Sequence, residues 1–205
     1  RFNPGGAPVV RRHGDQQSRG LRDAALARLP EANRLEADQA NELAWRTAAI
    51  MQAVQRSGGV FIIENPVDRN GPVAEELGLR FQMPEHVSLW QLEEMRALQG
   101  ATGGVFVHFP QCALGGRTQK WTTLMYSPAL RGLAALGALR CTHTKQQHER
   151  SVGRDAYGNY LTAALAAYPP ALNEAIAEAL DAAVPCTPVR GASVEPASTA
   201  HAVRI

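Results

Sequence analysis

The sequence predicts an α/β domain in which a mostly parallel sheet is flanked by helices. One phrase, amphipathic helix, Gly-Gly, short apolar run, polar loop, occurs twice, ending first at Glu64-Asn65-Pro66 and then at Pro110-Gln111-Cys112. The apolar runs, Val60-Phe61-Ile62-Ile63 and Val105-Phe106-Val107-His108-Phe109, are short and rich in β-branched and aromatic residues, as strands covered on both faces are. Parallel strands joined by a helical crossover would bring both polar loops to one edge of the sheet, and at that edge open α/β sheets bind ligands.

Composition narrows the classes. A chain of 205 residues, 45% hydrophobic, can bury one good core, so one domain with loose ends is expected. A net charge of +2 is too small to argue for nucleic acid by itself. Three irregularly spaced cysteines make no disulfide framework and fit a reducing, intracellular compartment. No apolar run approaches the roughly 20 residues of a membrane helix, and there is no signal-peptide pattern. The opening Arg1-Phe2, in place of a methionine, suggests a fragment or a partial gene model.

Residues 1–34 read as an irregular basic arm. Its Arg11-Arg12-His13, Arg19 and Arg22 either contact phosphates or belong to a solvated tail. From Glu36, the residues Leu43, Ala44, Thr47, Ile50, Met51 and Val54 recur at helical spacing, with Asp38 as a start signal and an end before Gly58. The strand Val60 to Ile63 then leaves Glu64, Asn65 and Pro66 in the loop at its carboxyl end, or else Glu64 caps the next segment and Asn65-Pro66 is an ordinary turn. Val67 to Pro84 reads as a loop with one short helical turn. Ser88 stands at the cap position of a helix over Leu89 to Leu98, and Gly103-Gly104 closes it.

Trp121 to Tyr126 has strand propensity and stops at Ser127-Pro128. Leu130, Leu133, Ala134 and Leu136 suggest a short helix, and Asn159 to Ala167 another. Pro169-Pro170 opens the strongest helix, with Leu172, Ala175, Ile176, Ala179 and Leu180 on one face. Residues 185–205 turn to Pro, Ser, Ala and Thr and read as a disordered tail.

Cys141-x-His143-x4-His148, with Cys112 or Cys186 as a fourth ligand, has the residue types of a structural zinc site. The spacing fits no standard ligand pair, so no metal is assigned; Cys141, His143 and His148 stay as candidates, the other reading being polar loop residues. His108 reads as a hydrogen-bonded residue of the core or sheet face rather than a base. Trp45 and Trp90 read as packing residues, and Trp121 either packs or stacks on a base.

The ordered set Glu64-Asn65-Pro66, Ser88-Leu89-Trp90, Gln111-Cys112, Gly115, Lys120-Trp121-Thr122, Cys141 with His143, and Tyr168-Pro169-Pro170-Ala171-Leu172 resembles a group of S-adenosylmethionine-dependent methyltransferase-like proteins. These occur in algae, protists and large viruses or mobile elements and are related to the DNA cytosine-5 methyltransferases. The resemblance covers roughly residues 40 to 180 and implies an incomplete Rossmann-like methyltransferase domain over 35–184. It implies methyl transfer from S-adenosylmethionine to cytosine in DNA, and with DNA as partner a nuclear location. Glu64 would hold the flipped base and donate a proton to it, with Asn65 orienting the carboxyl group and Pro66 completing the motif. Gln111, Arg117 and Lys120 would support the site and the nucleic-acid backbone, although Lys does not reproduce the bidentate fork of Arg.

The family's Gly-rich cofactor turn and its Pro-Cys nucleophile loop have no counterpart upstream of Glu64. Either the catalytic half lies outside this chain, or the chain is an inactive remnant or a module that binds nucleic acid or a partner. Cys112 is either a substitute nucleophile or a small packed residue. RNA or adenine would serve the same residues as substrates.

Overall fold

Ile62–Pro66 (β1), Val105–Pro110 (β2) and Trp121–Tyr126 (β3) form one three-stranded sheet in the order β1-β3-β2. The computed structural model describes residues 31–70, 72–79, 87–149, 156–158, 161 and 167–183. Strand β3 is antiparallel to both neighbours, with Glu64 opposite Leu124 and Pro66 opposite Thr122 on one side, and Phe109 opposite Thr122 on the other. The expected mostly parallel, Rossmann-like sheet is therefore overturned. The physical reason lies between β2 and β3, where Gln111 to Lys120 is shorter than a parallel crossover requires. The chain turns back instead, and β3 wedges between β1 and β2. Those two strands still point the same way, with a helix in the connection between them, but no hydrogen bonds join them.

A second correction concerns Glu64, Asn65 and Pro66, which lie within β1 rather than in a loop beyond it. Among the described residues β1 is an edge strand that pairs on one side only, so a proline that cannot donate to a ladder is tolerated there. The strand itself begins two residues later than the apolar run. Phe61 is held just ahead of it by Ser127, whose hydroxyl accepts from the Phe61 N–H at 2.9 Å and donates to Gln55 Oε1 at 2.7 Å.

Helices cover both faces. On one face lie α1 (Glu31–Arg56) and α3 (Glu93–Thr102), which pack Ala44, Ala48, Met95 and Leu98 against Phe61, Ile63 and Met125. A short α2 (Pro72–Glu76) and a 3-10 turn (Leu89–Gln91) precede α3. On the other face, the 3-10 segment Arg131–Ala138 and α4 (Pro170–Ala183) pack Leu133, Leu136, Leu172 and Ala179 against Val107, Phe109, Leu124 and Tyr126. Every residue of β3 is buried, as a central strand between two helical layers must be.

Several boundaries differ from expectation. Helix α1 starts at Glu31, so the last residues of the expected arm are helical; residues 1–30 lie outside the described residues. Ser88 makes no side-chain cap bond, and α3 starts only at Glu93, after the 3-10 turn. Gly103 closes α3 at φ 65°, in the left-handed region that glycine enters freely. The stretch Asn159 to Ala167 falls mostly, and 185–205 wholly, outside the described residues. Among the described residues no helix is long and apolar enough to cross a membrane.

Two substitutions check this core by urea unfolding. Leu124→Ala, in the middle of the fully buried strand, is expected to cost about 2–5 kcal/mol. Ser127→Ala removes a buried hydroxyl that ties α1, β1 and the end of β3 together, and is expected to cost about 1–3 kcal/mol.

Candidate functional site

Strand alternation decides which side chains meet. Glu64 on β1 and Thr122 on β3 share the α4-facing side of the sheet, and Gln111 follows β2 with the same parity as Phe109. At this polar end Gln111 Nε2 donates to Thr122 Oγ1 at 2.8 Å, and Thr122 Oγ1 donates to Glu64 Oε1 at 3.4 Å. Lys120 Nζ lies 3.2 Å from the same carboxylate oxygen. The Tyr168 hydroxyl, just before α4, donates to Glu64 Oε2 at 2.9 Å. Lys120 also stands 5.4 Å from the centre of the Tyr168 ring.

Structure thus brings Glu64 and Gln111 to one end of one sheet, as the sequence implied, but through β3 rather than through a crossover. The Glu64 and Lys120 side chains are only 19% and 20% exposed, so the pair is screened much less than a surface ion pair. Burial, then the hydrogen bond to Glu64 and its negative charge, push the Tyr168 phenol up to about 12. Beside the carboxylate, a cleft of about 290 Å³ is lined by Ile62, Leu124, Tyr168, Leu172 and Ile176.

Other expected site residues fall elsewhere. Asn65 faces the α1 side by strand alternation, away from the Glu64 carboxylate, and is not its orienting partner. Pro66 is exposed, and its carbonyl accepts from Trp90 Nε1 at 2.9 Å. Arg117 pairs with Glu149 at 2.9 Å on the surface. Gln111 is buried and spends its amide on Thr122. The three residues expected along a nucleic-acid backbone therefore do different jobs: Lys120 meets the Glu64 carboxylate directly, Gln111 reaches it through Thr122, and Arg117 pairs with Glu149 instead. Thr122 and Tyr168 belong to the site although neither stood among its expected members. Their signals were a polar pair, Thr122-Thr123, inside a strand, and a tyrosine directly ahead of Pro169-Pro170.

His108 bonds Thr123 Oγ1 at 2.8 Å, and burial lowers its imidazole against the opposing charge of Glu76, in keeping with a residue of the sheet face. Trp121 is 7% exposed, which rules out stacking on a base from solvent. Trp90 packs edge-on against Phe106 with centroids 5.3 Å apart, whereas Trp45 is half exposed among the described residues. Cys112 is buried; burial and the neighbouring Cys141 thiol push it up to about 11, which is not the state of a ready nucleophile. Cys141, His143 and His148 converge on Cys112, with the four ligand atoms within 4.8 Å of one another. Cys186, the other expected fourth ligand, lies outside the described residues.

Among the described residues, the glycine pairs after the helices do not fit the S-adenosylmethionine site that the family resemblance implies. Gly58-Gly59 and Gly103-Gly104 follow helices rather than preceding them. A Cβ on Gly59 would meet Val54 Cγ1 at 2.8 Å, so this glycine is there to let the chain turn against its own helix. Neither pair cradles a ligand at a helix amino terminus, where backbone N–H groups would be free to bind one.

The Tyr168 environment has a measurable consequence. Its proton is held more tightly in the folded chain than in the unfolded one, so the stabilisation is complete below about pH 10 and is lost as the pH rises towards 12. Tyrosinate absorbance of the folded protein should show a step near pH 12 that is missing in Tyr168→Phe and moves towards the ordinary range in Glu64→Gln. No protein-family model, curated protein or solved structure matches this chain.

Proposed function

We propose that the chain is a non-catalytic nucleic-acid-binding module in which Glu64 receives the amino edge of an unpaired base. The observation that carries the proposal is the Glu64 carboxylate set between Lys120 and Tyr168 at the lip of an apolar cleft. A carboxylate offers about four acceptor positions, and among the described residues Lys120, Thr122 and Tyr168 engage three of them, leaving capacity for one more donor. Exocyclic amines of bases are donors of that kind. Ile62 and Ile176, both partly exposed, supply an apolar wall against which a flat ring can rest. Lys120, paired with the carboxylate, holds it in place at the rim of the cleft.

The proposal stops at binding. Met by the Lys120 ammonium and by the hydroxyls of Thr122 and Tyr168, the Glu64 carboxylate is placed as an acceptor. Neither the glycine pairs nor Cys112 supplies the cofactor cradle or the activated thiolate that methyl transfer would use.

Fluorescence anisotropy with labelled single-stranded oligonucleotides, intact or carrying abasic positions, tests this reading. Total affinity is a poor readout, because Glu64→Gln also frees Lys120 for phosphate. The preference for base-bearing over abasic strands is the better one, and it should fall about tenfold in Glu64→Gln, in line with ~1–3 kcal/mol for one good base contact. Lys120→Met should also lower the base preference, because the carboxylate loses the ammonium beside it, and should leave the salt slope nearly unchanged, since Lys120 is already paired with Glu64. Equal base preference in folded Glu64→Gln and parent, or no binding even at low salt, rules the proposal out.

A further inference from the structure

The geometry points to a structural zinc site formed by Cys112, Cys141, His143 and His148. It rests on an observation separate from the Glu64 cluster. Cys112 sits in the 3-10 turn Gln111–Leu114 after β2, whereas the other three ligands come from the stretch that follows the Arg131–Ala138 segment. Two segments far apart in sequence therefore place four soft or borderline donors within 4.8 Å of one another.

The separations suit one tetrahedral ion. Zinc bonds of about 2.3 Å to sulfur and 2.0–2.1 Å to nitrogen place tetrahedral ligand atoms roughly 3.3–3.8 Å apart. Cys141 Sγ lies 3.4 Å from His148 Nε2 and 3.8 Å from His143 Nδ1. The two imidazoles stand nearly perpendicular, at 71° with centroids 5.3 Å apart, so each ring can aim a nitrogen inwards without stacking on the other. Two thiolates and two imidazoles are a donor set that selects zinc over the hard cations. With four protein ligands no coordination position is left open for substrate, which makes the role structural. Loading displaces the two thiol protons to solvent and leaves the imidazoles neutral.

Local structure supports the assignment. Between Leu139 and Glu149 the regular structure is a single three-residue 3-10 turn, Lys145–Gln147, so the stretch has few backbone bonds of its own. Around the four ligands it is fastened back to the β2–β3 connection: the Glu149 N–H donates to the Arg117 carbonyl at 2.9 Å, and the two side chains form an ion pair. Cys112 is buried and His143 is exposed, so the site has a closed inner side and an outer side through which metal can enter.

The test uses the full chain, purified with zinc present and then dialysed. Elemental analysis should find one zinc per chain, and a chelator should lower the melting temperature. Cys112→Ser with Cys141→Ser should lose the metal, and Cys186→Ser should keep it. Should the double variant fail to fold, cobalt loaded into the parent decides: intense tetrahedral visible bands together with thiolate-to-metal charge transfer are expected. Sub-stoichiometric zinc with no chelator effect, a weak octahedral cobalt spectrum, full retention of zinc in the folded double variant, or loss of zinc in Cys186→Ser would each overturn the assignment.

Discussion

The structure depends on one constraint: β3 is buried on both faces, yet it carries adjacent threonines. Thr122 and Thr123 are fully buried, and a hydroxyl taken out of water without a partner costs a few kcal/mol. Because successive side chains point to opposite faces, the two hydroxyls demand partners on both sides of the sheet. Thr123 finds His108 on the α1 and α3 side. Thr122 finds Gln111 and Glu64 on the α4 side, and these bring Lys120 and Tyr168 with them. The polar cluster is thus the answer to a hydroxyl on the central strand. It stands where it does because β3 has a neighbour on each side from which to draw partners.

Much of the secondary structure was legible because single periods dominate it. The helix beginning at Pro170, the strands beginning at Val105 and Trp121, and most of α1 follow from apolar spacing and from Gly or Pro punctuation. The repeated helix-strand phrase predicts a parallel sheet, but the short connection between Phe109 and Trp121 overrides it. A connection of that length returns the chain antiparallel, whatever the preceding repeat suggests. The extent of β1 departs from expectation for a different reason. Glu64 and Pro66 look like strand terminators, but on an edge a proline loses no ladder bond, and a carboxylate is tolerated once a lysine and a phenol meet it.

The site was legible in part, and again the cause is topological. Glu64 and Gln111 follow strands that run the same way, so placing them at one end of the sheet was sound even though β3 lies between them. What linear reading could not supply were the partners contributed by elements remote in sequence, Thr122 across the sheet and Tyr168 ahead of α4, and the choice between Cys112 and Cys186 beside Cys141. Cys141-x-His143-x4-His148 looks deficient as a motif because one of its ligands belongs to another segment. Spacing rules detect sites whose ligands come in pairs from local turns, and they leave undecided one that the tertiary fold assembles.

The two polar centres share a backbone. Gln111, which anchors Thr122, is adjacent to Cys112, and its N–H donates to the Lys120 carbonyl at 2.8 Å. Its own carbonyl accepts from Gly116, where a Cβ would come within 2.9 Å of that oxygen, so the loop can fold back this tightly only with glycine there. A metal holding Cys112 would restrain the same turn that sets Gln111 and Lys120. The cations of the loop would then have little freedom to follow a phosphate chain: Lys120 is engaged by Glu64 and Arg117 by Glu149. With its positive charge so committed, this end of the molecule can gain little from counterion release, which favours tight binding without sequence preference. Recognition here has to come from the shape and acceptor pattern of the Glu64 cleft, and a rigid turn holding that carboxylate in place reduces the ordering cost of binding.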